Sequence, residues 1–194
     1  MKKVLIVFAL MAFGFSNAQK GSILVSGSVN YTSTSSGNTQ STDYKFFSFS
    51  PRVGYQFADS WTVGIESSLS QTKYTVDNTN YENKVNNYSV GSFLRYSKSL
   101  TDVFSLFADL GLGIQNRKES LSTESVSFPD VKANGFYANL QPLLHLKVKN
   151  NFGLNFGLGG ISYNSLDYKE SGEKVNNFNI NFGQAFTVGI QKNF

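Results

Sequence analysis

The sequence predicts an all-β chain folded as an eight-stranded antiparallel up-and-down transmembrane β-barrel. Three observations lead there. Eight segments alternate apolar and polar residues with period two, the signature of a strand whose successive side chains point to opposite faces. The breaks between them alternate short and long, as in a meander that closes on itself. Small and bulky residues fall on opposite phases of the strands, and no segment in the body of the chain has a helical period.

The N-terminus comes first and is set apart. Lys2 and Lys3 precede an apolar run of 12 residues, Val4 to Phe15, and then Ser16, Asn17 and Ala18. Positive flank, short apolar core and small-residue end are the layout of a secretory signal, with the cut expected after Ala18. Twelve residues fall short of the roughly 18 to 20 that a helix needs to cross a bilayer. Residues 1–18 are therefore read as a signal peptide, leaving 19–194 as one barrel domain of 176 residues.

The strands follow in order. The first sets Ile23, Val25, Val29 and Tyr31 against Ser26, Ser28 and Asn30. The second sets Phe47, Phe49, Val53, Tyr55 and Phe57 against Ser48, Ser50, Arg52, Gly54 and Gln56, and the third carries Trp61, Val63, Ile65 and Leu69. Tyr88, Val90, Leu94 and Tyr96 mark the fourth, and Leu106, Ala108, Leu110, Leu112 and Ile114 the fifth. The sixth has Phe136, Ala138, Leu140, Leu144 and Leu146, and the seventh Phe152, Leu154, Phe156 and Leu158. The eighth has Ile180, Phe182, Phe186, Val188, Ile190 and Phe194, interrupted by Gln184 and Lys192. Pro51 and Pro142 lie inside strands and lack the N–H a closed ladder needs, so each predicts a bulge or a broken ladder bond.

Tight turns are expected around residues 57–61, 96–104 and 147–152, and long polar loops over 34–43, 74–87, 116–134 and 164–177. In an outer membrane the short rim faces the periplasm and the long loops face outside. Which face points outward is decided by the glycines. Gly54, Gly64, Gly91, Gly111, Gly113, Gly135, Gly153, Gly157, Gly159, Gly183 and Gly189 share the polar phase. An eight-stranded barrel is only just wide enough inside for side chains, so small residues belong there and the bulky face suits lipid. Aromatics gather at both strand ends: Phe57, Trp61, Tyr96, Phe104, Phe152 and Phe194 near the short turns, and Tyr31, Phe47, Tyr88, Phe136 and Phe178 near the long loops. Two such girdles are what membrane interfaces select.

These features together resemble the small outer-membrane barrels of the outer-membrane protein A and X type, the porin-like β-barrel domain family. The resemblance implies an outer-membrane location, lipid as the surrounding partner and a structural or surface-interaction role, with an extracellular ligand held by four long loops. It also implies that the barrel-assembly machinery reads the last strand, where Phe186, Val188, Ile190 and Phe194 match the alternating apolar pattern and Lys192 departs from it.

The inward phase holds Arg52, Glu66, Arg95, Asp109 and His145. If Phe57 pairs with Trp61 across the turn, Arg52 falls opposite Glu66, and Arg95 and Asp109 meet in a similar way. Buried charges must find partners, so the expected role is a paired-charge core that fills the lumen. The alternative is a narrow pore or small-solute porin; a soluble lipocalin-like barrel would need the bulky face inside. One histidine excludes a multi-histidine metal site, and His145 has no Ser and acid grouped with it at a recognisable catalytic spacing, so no enzyme activity is expected. No cofactor is implied. There is no cysteine for a disulfide, thiolate ligand or lipid anchor. The formal charge is +4, or +2 without Lys2 and Lys3, and the basic residues form no run, which argues against nucleic acid.

Overall fold

The structure, a computed structural model, describes residues 21–37, 42–76, 81–123 and 126–194, and for residues 184–187 the backbone alone. The predicted signal over residues 1–18 and the side chain of Phe186 lie outside these. Eight strands form one closed antiparallel barrel in chain order. They are β1 Ile23–Ser36, β2 Thr42–Ala58, β3 Trp61–Val76, β4 Tyr81–Ser99, β5 Phe104–Ser122, β6 Val131–Lys149, β7 Phe152–Tyr168 and β8 Lys174–Asn193.

The barrel is inside-out relative to a soluble protein. Ile65 and Ile114 are each 66% exposed, whereas Arg95 keeps 2% of its surface and Asp109 none. Exposing isoleucine while burying an ion pair makes physical sense only where the outer solvent is hydrocarbon. The bulky face points away from the lumen, which overturns the lipocalin-like alternative. Both girdles are present: Phe57, Trp61, Tyr96 and Phe104 are exposed near the short turns, and Tyr31, Phe47, Tyr88, Phe136 and Phe178 are exposed toward the other end. The Trp61 and Tyr96 rings lie 5.1 Å apart.

The expectation of long loops needs correction. The strands continue through most of the segments read as loops, pairing Ser36 with Thr42 and Val76 with Tyr81. A membrane strand needs only about 9–11 tilted residues, yet β4, β5 and β6 each have 19. Past the bilayer both faces of a hairpin meet water, so the apolar–polar alternation disappears while the backbone ladder persists. The chain therefore projects paired hairpins beyond the membrane, with short connections at their tips.

The opposite rim is tight as expected. Between β6 and β7 the turn is Asn150–Asn151, both at positive φ of 50° and 59°, the geometry that a two-residue hairpin needs and that asparagine tolerates well.

Each proline breaks its ladder in a different way. At Pro51 the β1 side stays paired with Gly27, while the β2–β3 pairing skips Ser50 and Pro51 and resumes in the same register. At Pro142 the register shifts between Leu140 and Leu143 on the β7 side. A second shift follows at once between β7 and β8, at Gly157/Gly159. Gly159 takes φ +93°, and a Cβ there would drive into the Asn181 carbonyl oxygen. The outward phase of β7 switches here from Phe156 to Ile161, the residue that lies opposite Leu140 and Ile180. Gly159 and Gly183, the latter at φ +74°, are thus bulge residues and not lumen spacers as their phase suggested.

Ladder length is uneven around the barrel. β1 pairs with β2 from Ile23↔Tyr55 to Ser36↔Thr42, but with β8 only from Leu24↔Asn193 to Gly27↔Ile190. Phe194 extends that seam by one residue, its N–H donating to the Ile23 carbonyl at 2.9 Å and its carbonyl accepting from the Ile23 N–H at 3.1 Å.

Candidate functional site: a bonded chain of side chains through the lumen

Neighbouring strands bring the predicted charges together by register. Arg52 lies opposite Glu66 and Arg95 opposite Asp109. The turn actually pairs Ala58 with Trp61, and a one-residue shift between Gln56 and Ala58 restores the expected register further in. Arg52 Nη2 is 2.9 Å from Glu66 Oε2. The Arg95 fork grips Asp109, with Nε donating to Oδ1 at 2.6 Å and Nη2 donating to Oδ2 at 2.7 Å. Arg52 Nη1 donates to the same Oδ2 at 2.8 Å, joining the two pairs into one four-residue cluster. Bidentate, charge-assisted geometry of this kind is the strong form of the hydrogen bond.

Uncharged residues extend the cluster in both directions. Tyr137 donates its hydroxyl to Glu66 Oε1 at 2.8 Å. On the other side Arg95 Nη1 donates to Gln191 Oε1 at 2.6 Å, and the same oxygen accepts from Asn155 Nδ2 at 3.1 Å. Asn155 Oδ1 then lies 2.7 Å from His145 Nδ1. From Tyr137 to His145 the chain of bonds visits β6, β3, β2, β5, β4, β8 and β7 before returning to β6.

Aromatic rings complete the filling. Phe93 is 1% exposed, with Arg52 at 5.5 Å and Arg95 at 6.0 Å from its ring centre. Phe107 lies 4.5 Å from the Arg95 guanidinium and stacks on His145 at 4.8 Å. Lumen rings fit because glycines on neighbouring strands make room. A Cβ on Gly64 would meet Phe93 at 2.6 Å, and one on Gly113 would meet Tyr137 at 2.6 Å.

Sequence reasoning named Arg52, Glu66, Arg95, Asp109 and His145 but missed Phe93, Phe107, Tyr137, Asn155 and Gln191. The available signal was a bulky or amide residue on the glycine phase of its strand. His145 does not join the charge cluster directly, since Asn155 and Gln191 stand between them.

The cluster divides the lumen. A cavity of about 410 Å³ lined by Ser70, Asn87, Gln115, Arg117 and Asn164 lies toward the long hairpins. One of about 400 Å³, reaching Asp59, Asp102, His145 and Lys147, opens at the short turns. A smaller pocket of about 190 Å³ touches both Arg52 and Arg95.

At the C-terminus, Val188 and Ile190 are exposed on the outer face. The Lys192 ammonium lies 4.7 Å from the Phe194 ring centre. A lysine at the membrane boundary can lay its stem along apolar surface and keep its charge at the interface, which accounts for its place in an apolar run.

A closed antiparallel wall, bulky residues outside and charge inside define an integral β-barrel of the outer membrane. The chain belongs to the outer membrane protein beta-barrel domain family, whose model matches residues 4–186. Among solved structures it is similar to a major outer membrane protein from Thermus thermophilus, at 10% identity and a TM-score of 0.52, covering 90% of this chain and 99% of that one. It is also similar to the translocator domain of the autotransporter NalP from Neisseria meningitidis, at 13% identity and a TM-score of 0.48, over 100% of this chain and 75% of that one. The attachment invasion locus protein Ail of Yersinia pestis, solved with the heparin analogue sucrose octasulfate, matches at 18% identity and a TM-score of 0.43, over 90% of this chain and 99% of that one. No curated protein matches the sequence.

Proposed function

We propose that the mature chain, residues 19–194 after removal of a signal at 1–18, is a non-enzymatic outer-membrane barrel that works at the cell surface. Its projecting hairpins are the binding elements for an extracellular ligand, and the lumen charges are structural filling. The observation that carries this reading is the contrast between the two ends of the barrel: one rim is trimmed to tight turns, while the other extends paired strands well past the apolar band. A rigid, paired scaffold holds tip residues in place at little entropic cost on binding. His145 supports no catalytic reading. Ser105 lies opposite it in register, but the His145 ring is stacked on Phe107 and its Nδ1 is engaged by Asn155. The barrel-assembly machinery would read Val188, Ile190 and Phe194, together with Phe186.

The test combines location and topology. The expected result is a heat-modifiable species in the outer-membrane fraction, with a cysteine placed at Gly172 labelled by an impermeant maleimide on intact cells. A soluble periplasmic species, or labelling only after permeabilisation, would refute the reading. The second reading, a narrow pore, rests on the three cavities in the lumen, which Arg52, Arg95 and their partners separate. It predicts stepwise conductance in a planar bilayer that rises in Arg52→Ala or Glu66→Ala; silence of the wild type and both variants removes it.

A further inference from the structure

The geometry points to a binding site for a neutral sugar inside the barrel, between the charge cluster and the hairpin tips. The inference deepens the proposed surface role by naming a class of ligand, and it rests on that reading's orientation, with the long hairpins outside. The site is the cavity of about 410 Å³ on the long-hairpin side of the cluster, a size within the range of small-molecule pockets. Register stacks its polar lining in layers: Ser70 lies opposite Asn87, Asn87 opposite Arg117, and Ser89 opposite Gln115. On the opposite wall Asn164 pairs with Asn177. Tyr137, hydrogen-bonded to Glu66 at 2.8 Å, lies opposite Asn164 and joins the cavity floor to the cluster.

This end of the lumen keeps bonding capacity that the other end has used. Among the described residues the buried Arg117 Nε donor has no partner, nor has the buried Asn83 Oδ1 acceptor four residues from Asn87 on the same phase of β4. His145, Asn155 and Gln191, at the short-turn end, are bonded to one another or to Arg95. Buried polar groups are nearly always paired, so an idle donor and an idle acceptor together call for a ligand that can both accept and donate. A hydroxyl does both. Charge does not select an ion, because Arg117 is the one charged residue among those described in the lining and its Nη2 lies 3.5 Å from Glu119 Oε2. Nearer the tips Tyr44 and Tyr74 share the inward phase of Arg52 and Glu66 and lie opposite each other, each 39% exposed. Tyr74 packs edge-on against Tyr81 with ring centres 6.3 Å apart, and Tyr168 brings a further ring to the cavity itself. A pyranose offers an apolar C–H face to such rings and an equator of hydroxyls to the amides. A sulfate or phosphate ester would meet Glu119, and a wholly apolar ligand would leave Asn87, Asn164 and Arg117 without partners.

The experiment titrates the full mature barrel, refolded in phosphatidylcholine nanodiscs, with maltose, lactose and mannobiose, and reads binding by saturation-transfer-difference NMR. At least one of the three should bind saturably. Asn164→Leu/Asn177→Leu removes two amides from the wall and should weaken that binding by on the order of ten-fold. Tyr74→Leu should weaken it about two- to ten-fold. Ser97→Leu, in the cavity at the short turns, should leave it unchanged. Folding of every variant is read from heat-modifiable mobility. If the double leucine variant does not fold, Asn164→Ala and Asn177→Ala are scored singly, each expected near five-fold. Absence of saturable binding by all three sugars overturns the proposal and leaves a vestibule that holds water alone. Full affinity in the folded asparagine variants also overturns it, and so does tighter binding of a sulfated disaccharide than of its neutral parent. The same sugars coupled to a matrix through the reducing end separate two sources: capture of the barrel assigns the terminal unit of a glycan chain, binding in solution alone assigns a free saccharide, and either supports the site. Surface labelling at residue 172 keeps the two readings apart. A labelled barrel that binds no sugar loses the vestibule site alone, and one labelled only after permeabilisation loses the surface role whether or not it binds sugar.

Discussion

Replacing Asp109 by alanine removes the carboxylate that three guanidinium donors share. Arg95 Nε and Nη2 and Arg52 Nη1 all reach it within 2.6–2.8 Å, and it has no exposed surface. After the change Arg52 retains Glu66 and Arg95 retains Gln191, but Arg95 keeps no carboxylate partner while remaining 2% exposed. Breaking a buried pair from one side costs about 3–5 kcal/mol because a charge is left without compensation. Urea unfolding from lipid vesicles, followed through the single tryptophan, Trp61, reads this directly. With a slope of about 2 kcal/mol per molar the midpoint should fall by roughly 1.5–2.5 M. Arg95→Met combined with Asp109→Leu should recover much of the loss, since apolar replacement of a whole buried pair is often neutral. A single-variant loss below about 1 kcal/mol, the value of an exposed pair, would show that water reaches the cluster freely. A double variant less stable than Asp109→Ala would refute the reasoning by another route.

Three further outcomes are expected. Gly159→Ala, at a left-handed position whose Cβ meets the Asn181 carbonyl, should destabilise the barrel by about 1–3 kcal/mol, whereas Gly172→Ala, with φ +68° but open space around it, should cost less; equal losses in urea unfolding would contradict the steric argument. Deleting Phe194 should lower the folded fraction in the outer membrane of cells far more than it lowers the stability of barrel refolded in vitro, where it removes the two seam bonds to Ile23 and the ring beneath the Lys192 ammonium; equal effects in both assays would remove the targeting role. Asp130 lies in the connection between β5 and β6, where Lys118 and Ser120 hydrogen-bond to it and hold its carboxyl below the usual range. A lowered folded value means that the stabilisation is complete above the unfolded pKa of about 4 and fades as pH falls through the folded one. Carbon-detected NMR titration should find the Asp130 midpoint below the ordinary aspartate value of about 4, and Lys118→Gln should raise it.

Period-two patterning and the glycine phase made the wall legible, because both are local consequences of a strand with lipid on one side and a narrow lumen on the other. Arg52 and Glu66 could be matched by counting back from a turn, since register propagates along an uninterrupted ladder. The inner end of that count survived a shift at the turn itself. What could not be read were contacts across the lumen: Arg52 to Asp109, Arg95 to Gln191 and Glu66 to Tyr137 join strands that are not neighbours, and no spacing in the sequence encodes the barrel's diameter. The reach of the strands was also hidden, because paired hairpins in water carry no amphipathic signature. The phase switch at Gly159–Gly160 was visible as a pair of glycines, yet their consequence for β7 depends on the ladders on either side.

The route of the lumen bonds has a bearing on how this barrel can come apart. Seven strands contribute a side chain to it and β1 contributes none, while β1 also holds β8 through the shortest ladder in the wall. Closure of the cylinder and bracing of its interior are therefore separate operations. A sheet of β2 to β8 could curl and be cross-tied before its last edge is sewn, leaving β1 to act as a flap hinged on β2. Opening that flap would part the wall without disturbing a single ion pair inside it.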